Sequence, residues 1–238
     1  MKKGIAAISA VTMAAVMCVG LVACGDSKSE AEKIVSEEVT QAEWEAAFAE
    51  ENFANCKLVL TTIYAYKGTI TEARESSSGG TIINGQVSEA KQTITSTYIQ
   101  DGAMVHCNLK AVSKGGADLM IPDGESEYYW ADGNRYTVTK KGVTVEEGVE
   151  MVTIYSMVPN ISDKYQYFEY SKEAKGYVYK QGAPNSNEYF GSGIFKFQNG
   201  KLAACIFSDT ETYDEGMESV TETFVFTYGG QTITLPKV

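Results

Sequence analysis

Apolar and polar positions divide the chain into three stretches. Residues 5–23 carry no charge and are almost continuously apolar, residues 25–39 are polar with no periodic apolar pattern, and from Thr40 onward apolar positions recur first at helical and then at strand spacing. Thr40-Gln41-Ala42-Glu43 is a capping box, in which a threonine N-cap and the glutamate three residues on satisfy each other's backbone N–H groups, and Val39 and Trp44 suit a hydrophobic staple. Trp44, Ala47 and Phe48 then share one helical face, which predicts a short amphipathic helix ending near Glu51.

From Phe53 the chain reads mostly as strands. The run CKLVLTTIYAYKG is β-branched and aromatic, QTITSTYIQ and AMVHCNLKAV meet at Asp101-Gly102, and SEYYWA and NRYTVTK flank Asp132-Gly133. Further on, YQYFEY and KGYVYKQ flank a turn near Glu173–Lys175, GIFKFQ and KLAACIFS meet at Asn199-Gly200, and ESVTETFVFTY and QTITLP flank Gly229-Gly230. Asn-Gly is the strongest of these hairpin signals because both turn positions need positive φ. Short connections between successive strands predict an antiparallel meander. Val220, Phe224, Phe226 and Tyr228 fall on one face while Thr221, Thr223 and Thr227 fall on the other, so the sheet has one face to cover. The Trp44 helix is one cover. A second is EEGVEMVTIYSMV, which reads as a short helix before Pro159, although TIYSMV also fits a strand. The fold class is α+β, mostly antiparallel β, with a single domain over residues 40–238.

The first stretch changes the picture from fold to address. Lys2 and Lys3, an apolar middle and small residues at its end mark a secretory signal. Leu21-Val22-Ala23-Cys24 resembles the lipobox of bacterial lipoproteins, which implies cleavage before Cys24 and acylation of its thiol; residues 1–23 are then the signal peptide and residues 24–39 a lipidated, flexible tether. Such a tether reaches roughly 20 Å. An uncleaved span is the alternative by length, but the cysteine at the polar boundary favours the lipobox. The implied location is the bacterial cell envelope, on the extracytoplasmic face of the membrane.

Loss of Lys2 and Lys3 takes the formal charge from -11 to -13, which argues against a nucleic-acid partner and against charge-driven binding to an anionic membrane. About 215 residues then remain, enough for one sizeable domain. With Cys24 acylated, three thiols are left. Cys56, Cys107 and Cys205 each sit on the more apolar side of a strand, where buried cysteines behave as small hydrophobes; one disulfide with one free thiol is the other arrangement.

The lipobox, the charged tether, the helix EVTQAEWEAAFAEENF leading into a long first strand, and the final FVFTYGGQTITLP together resemble the LolA/LppX-like lipoprotein group. The resemblance covers nearly the whole mature chain and implies a sheet curved into an open half-barrel with helices on its concave side. Members of that group bind or move acyl chains or lipoproteins.

Candidate chemistry is sparse. His106, the only histidine, neighbours Cys107 in a strand, so the two side chains point to opposite faces. Asp123, Glu125 and Glu127 cluster, as do Asp209, Glu211, Asp214, Glu215 and Glu218, without the ligand spacing of a calcium loop. No metal, cofactor or catalytic constellation is expected. Tyrosines and phenylalanines are the abundant resource. The leading expectation is a non-enzymatic monomer that holds a lipid or other apolar ligand, with Trp44 and Phe48 on a lid and Tyr64, Tyr167, Tyr179 and Phe195 as lining. The alternative is a surface module that binds glycan or protein through outward tyrosines.

Overall fold

The computed structural model describes residues 29–237 apart from 69–73, 76–80, 83–88, 115–119, 185–188 and 214–215. Leu21, Val22, Ala23 and Cys24 lie outside the described residues. Among the described residues thirteen strands form: β1 (Asn55–Gly68), β2 (Arg74–Glu75), β3 (Thr81–Ile82), β4 (Glu89–Asp101), β5 (Met104–Lys114), β6 (Gly124–Ala131), β7 (Asn134–Thr139), β8 (Gly142–Glu147), β9 (Phe168–Ser171), β10 (Gly176–Tyr179), β11 (Ile194–Gln198), β12 (Lys201–Tyr213) and β13 (Gly216–Tyr228). Strands β2 and β3 pair only with each other; the other eleven make one open antiparallel sheet in the order β8-β7-β6-β5-β4-β1-β13-β12-β11-β10-β9. The expected α+β half-barrel is thus the architecture. Its topology is two meanders, β4–β8 and β9–β13, with β1 between them, Leu58 facing Phe226 on one side and Tyr98 on the other.

This order explains two departures from the pattern reading. QTITLP is not a strand. β13 already has β1 on one edge and β12 on the other, so a hairpin partner after Gly229-Gly230 has no free edge. The tail instead runs past the strand ends, where the Gln231 N–H donates to Asn55 Oδ1 at 3.0 Å. The second expected helix is also missing: GVTVEE forms β8 and residues 148–167 cross the concave face to reach β9 at the opposite edge. Ten strand spacings measure roughly 48 Å along the sheet. Twenty residues as an α-helix reach only about 30 Å, against about 65 Å when extended. The crossing segment accordingly contains no α-helix and alternates irregular stretches with 3₁₀ turns at Tyr155–Met157 and Ser162–Tyr167.

Among the described residues two short α-helices flank the sheet on opposite faces. Helix α1 (Glu30–Lys33) lies against Ala204, Ile206 and Ile194 of the outer face. Helix α2 (Gln41–Ala47) lies on the concave face with both capping-box bonds formed. It stops at Ala47, short of Glu51, because the Asn52 side chain takes the Ala46 carbonyl at 2.7 Å and a 3₁₀ turn follows. Replacing Thr40 with alanine is expected to cost about 1 kcal/mol in urea titration. The same bonds hold the Glu43 carboxyl below the ordinary carboxylate range, chiefly through the Thr40 backbone N–H. Its contribution is therefore present above the unfolded-state pKa and fades as pH falls through the lower folded value.

The link between these helices corrects the expectation of a tether through residue 39. The Ser36 N–H donates to the Lys175 carbonyl (3.1 Å) and the Glu37 N–H to the Phe197 carbonyl (2.8 Å), so the chain passes from outer to concave face between the diverging ends of β10 and β11. Lys196 is 2 % exposed. Its ammonium donates to the carbonyls of Ala31 (2.9 Å) and Ile34 (2.8 Å), capping α1 with a buried cation. Composition reads this segment as polar and loose; its backbone groups are nonetheless used by the sheet.

Candidate functional site

Of the aromatics expected at a cavity, Trp44, Phe48 and Phe195 fill the core. Trp44 is 0 % exposed, with ring centroids of Phe168, Phe197, Phe48, Tyr177, Tyr165 and Phe195 4.9–6.1 Å from its own. Its indole N–H donates to the Ile161 carbonyl at 3.0 Å. Phe195 meets Phe168 and Phe207 edge-on at 5.3 and 5.5 Å. Beside it a side chain at Gly193 would meet the Phe207 ring at 2.6 Å. Trp44, Phe48 and Phe195 are therefore packing, not lid and lining. Tyr167 and Tyr179 sit together at the β9–β10 edge, 6.1 Å apart, and Tyr64 lies elsewhere, opposite Gln92 and Val220.

Five tyrosine hydroxyls are likewise spent inside the molecule. Those of Tyr165 and Tyr177 donate to the Val39 carbonyl, Tyr170 to Ser36, Tyr228 to Leu202 and Tyr179 to Pro184. They stitch the N-terminal segment and strand ends to the sheet.

The other half of the concave face is differently built. Val105, Cys107 and Trp130 form a buried floor, bordered by partly buried Tyr98, Leu109 and Tyr128. Val149 and Met151 of the crossing segment lie over it. That segment is pinned on both sides of the floor: the Val149 N–H donates to the Gly133 carbonyl at 3.0 Å and the Ile154 N–H to Gln100 Oε1 at 2.8 Å. Between the pins a cavity of about 250 Å³ is lined by Trp130, Val149, Met151 and Ala103, with Ala131–Asn134 at the β6–β7 turn. Asp132 and Gly133 both have positive φ (51° and 73°), the mirror-image turn that matches strand twist and brings turn backbone to the cavity. Arg135 is the direct cross-strand neighbour of Trp130, its guanidinium pairs with Glu146, and its Nε–H is buried without a hydrogen-bond partner. The cavity equals about eight waters at roughly 30 Å³ each and falls just below the ~300–1,000 Å³ of drug-sized sites.

Sequence pattern held the signal for this site without resolving it. Tyr128 and Trp130 alternate inward ahead of the Asp132-Gly133 turn, and Val149 and Met151 alternate likewise, but assigning EEGVEMVTIYSMV to a helix hid the second pair.

His106 and Cys107 do point to opposite faces. His106 stacks on Tyr129 at 4.4 Å on the outer face and its Nε2 lies 3.0 Å from Glu127 Oε1, which also accepts the Tyr129 hydroxyl at 2.8 Å. Glu125 pairs with Lys110, and Asp123 accepts the Ser113 N–H, which lowers its pKa. Among the described residues no group of three His, Cys, Asp or Glu is placed to hold a metal ion.

Cys56, Cys107 and Cys205 are free and buried. Burial pushes the Cys56 thiol up to about 12 and Cys107 to about 11, and raises Cys205 as well. Since the thiolate is the reactive form, none of the three is expected to react with Ellman's reagent at pH 8 in the folded protein. All three are expected to react in guanidinium. Stoichiometric modification without denaturant contradicts this.

No family model matches the chain, and neither a curated protein nor a solved structure matches it.

Proposed function

We propose that this protein is a non-enzymatic binding module of the bacterial cell envelope, anchored by acyl chains on Cys24, which holds an apolar ligand against the β4–β6 half of its concave face. The observation that carries this reading is the half-open pocket at Trp130, bordered by Val149 and Met151 of a segment pinned by one hydrogen bond on each side. The end of a lipid tail fits there by size and lining, and Tyr128, Leu109 and Tyr98 continue the apolar track along the sheet. The lipobox and the resemblance to LolA/LppX-like lipoproteins support the address and the ligand class. The acidic balance supports a partner other than nucleic acid.

Native mass spectrometry of the mature chain released from membranes tests the reading. The wild type and a Val152→Glu variant, altered at an exposed neighbour, are expected to carry a lipid-sized adduct that Met151→Glu loses. A bare wild-type mass, or an adduct that survives Met151→Glu, sinks it.

A further inference from the structure

Strand β8 ends the sheet, so one side of its backbone offers N–H and C=O groups to a further strand. It is six residues long and Val145, on its outer face, is 42 % exposed. The opposite edge, β9, has only four residues. The chain through β8 reads Lys140-Lys141-Gly142-Val143-Thr144-Val145-Glu146-Glu147, basic at one end and acidic at the other. We propose that β8 pairs antiparallel with β8 of a second copy, about a two-fold axis through Thr144, joining two sheets into one.

The register follows from geometry and charge. A two-fold axis normal to the sheet keeps outer face with outer face, so directly opposed residues must lie on the same face and the axis must pass through a residue. Centred on Thr144, Val143 faces the partner's Val145 and Lys141 faces the partner's Glu147, each pair occurring twice. Lys140 is then diagonal to the partner's Glu146. Centring one residue earlier sets Lys141 against Val145 and leaves Lys140 against Glu146, a carboxylate already held by Arg135. Centring one later sets Lys141 against Val149 and Lys140 against Glu150, beyond the strand end. The Thr144 register is the one that opposes Lys141 and Glu147 directly. The exposed Val145 is covered in this register, and cross-strand pairs of opposite charge and of β-branched residues are the favourable kind. One six-residue edge is at the small end of interfaces, so the dimer is weak and is best trapped. This pairing stands apart from the cavity at Trp130 and extends the functional reading to self-association, where sequence alone suggested a monomer.

Oxidative cross-linking of the full chain tests the proposal. In an antiparallel pair the directly opposed Cα atoms lie about 4.5–5.5 Å apart, within disulfide reach, so Thr144→Cys is expected to yield a disulfide-linked dimer. Val112→Cys, exposed on the same outer face, serves as the control and is expected to stay monomeric. Adding Lys141→Glu to Thr144→Cys sets like charges against each other and is expected to cut the dimer about tenfold. Adding Glu147→Lys as well restores both pairs and the dimer. That rescue separates lost pairing from lost folding. The proposal is overturned by a Thr144→Cys yield no greater than the control, by indifference to Lys141→Glu, or by cross-links to a different protein.

Discussion

Replacing Trp44 with alanine is expected to lower the unfolding free energy by about 3–5 kcal/mol, the range for emptying a large aromatic site in a core. Trp44 is the hub between α2, the 3₁₀ turn at Ser162–Tyr167 and strands β9–β11: six rings surround it and its N–H closes on the Ile161 carbonyl. A rigid set of rings collapses poorly into the space left, so the upper part of the range applies. Trp44→Phe, which keeps an aromatic ring and loses the indole hydrogen bond while the Ile161 carbonyl still accepts the Lys164 N–H, is expected to cost about 0.5–1.5 kcal/mol for that bond. Equilibrium denaturation with an unchanged m-value checks both numbers. A loss below 1 kcal/mol for Trp44→Ala would mean that the helix is not part of the cooperative core.

The second large effect separates a tether from a structural segment. A chain beginning at residue 25 is expected to fold, whereas one beginning at residue 40 is expected to lose cooperative unfolding. The shorter chain strips α1 from Ala204 and Ile206, leaves the Lys196 ammonium without the Ala31 and Ile34 carbonyls, and removes the partners of the Lys175 and Phe197 carbonyls. The Tyr165, Tyr170 and Tyr177 hydroxyls lose Ser36 and Val39. Each buried polar group left unpaired costs about 1–3 kcal/mol, more for a charge, against a typical domain stability of only about 5–15 kcal/mol. Thermal melting followed by circular dichroism checks this. Equal transitions for the two chains would restore the tether reading.

Most strands were legible because β1, β4–β7 and β9–β13 carry clean alternation or turn signals such as Asp132-Gly133 and Asn199-Gly200. The capping box at Thr40 marked α2 for the same reason: it is a local device read from adjacent residues. What local pattern cannot express is which strands become neighbours. QTITLP has strand composition, yet β13 has no edge left for it. EEGVEMVTIYSMV has a helical face, yet it must span the width of the sheet. Residues 29–39 look like a linker because much of their contribution is made by backbone carbonyls and amides, which composition does not register, and the side chains they bury, Ala31, Ile34 and Val39, follow no period. The site suffered in the same way. Trp44, Phe48 and Phe195 are apolar and inward, as expected, but only the packing shows that they fill their space while Trp130 and Met151 leave a cavity.

The two tryptophans make the central claim directly measurable, since one sits in the core and the other at the cavity. In a Trp44→Phe chain the remaining indole is Trp130, and a fatty acid brominated near its terminal carbon is expected to quench its fluorescence saturably. In the converse Trp130→Phe chain the buried Trp44 is expected to stay bright. Absent quenching at Trp130, or equal quenching in both variants, would contradict a ligand whose apolar end lies beneath Val149 and Met151.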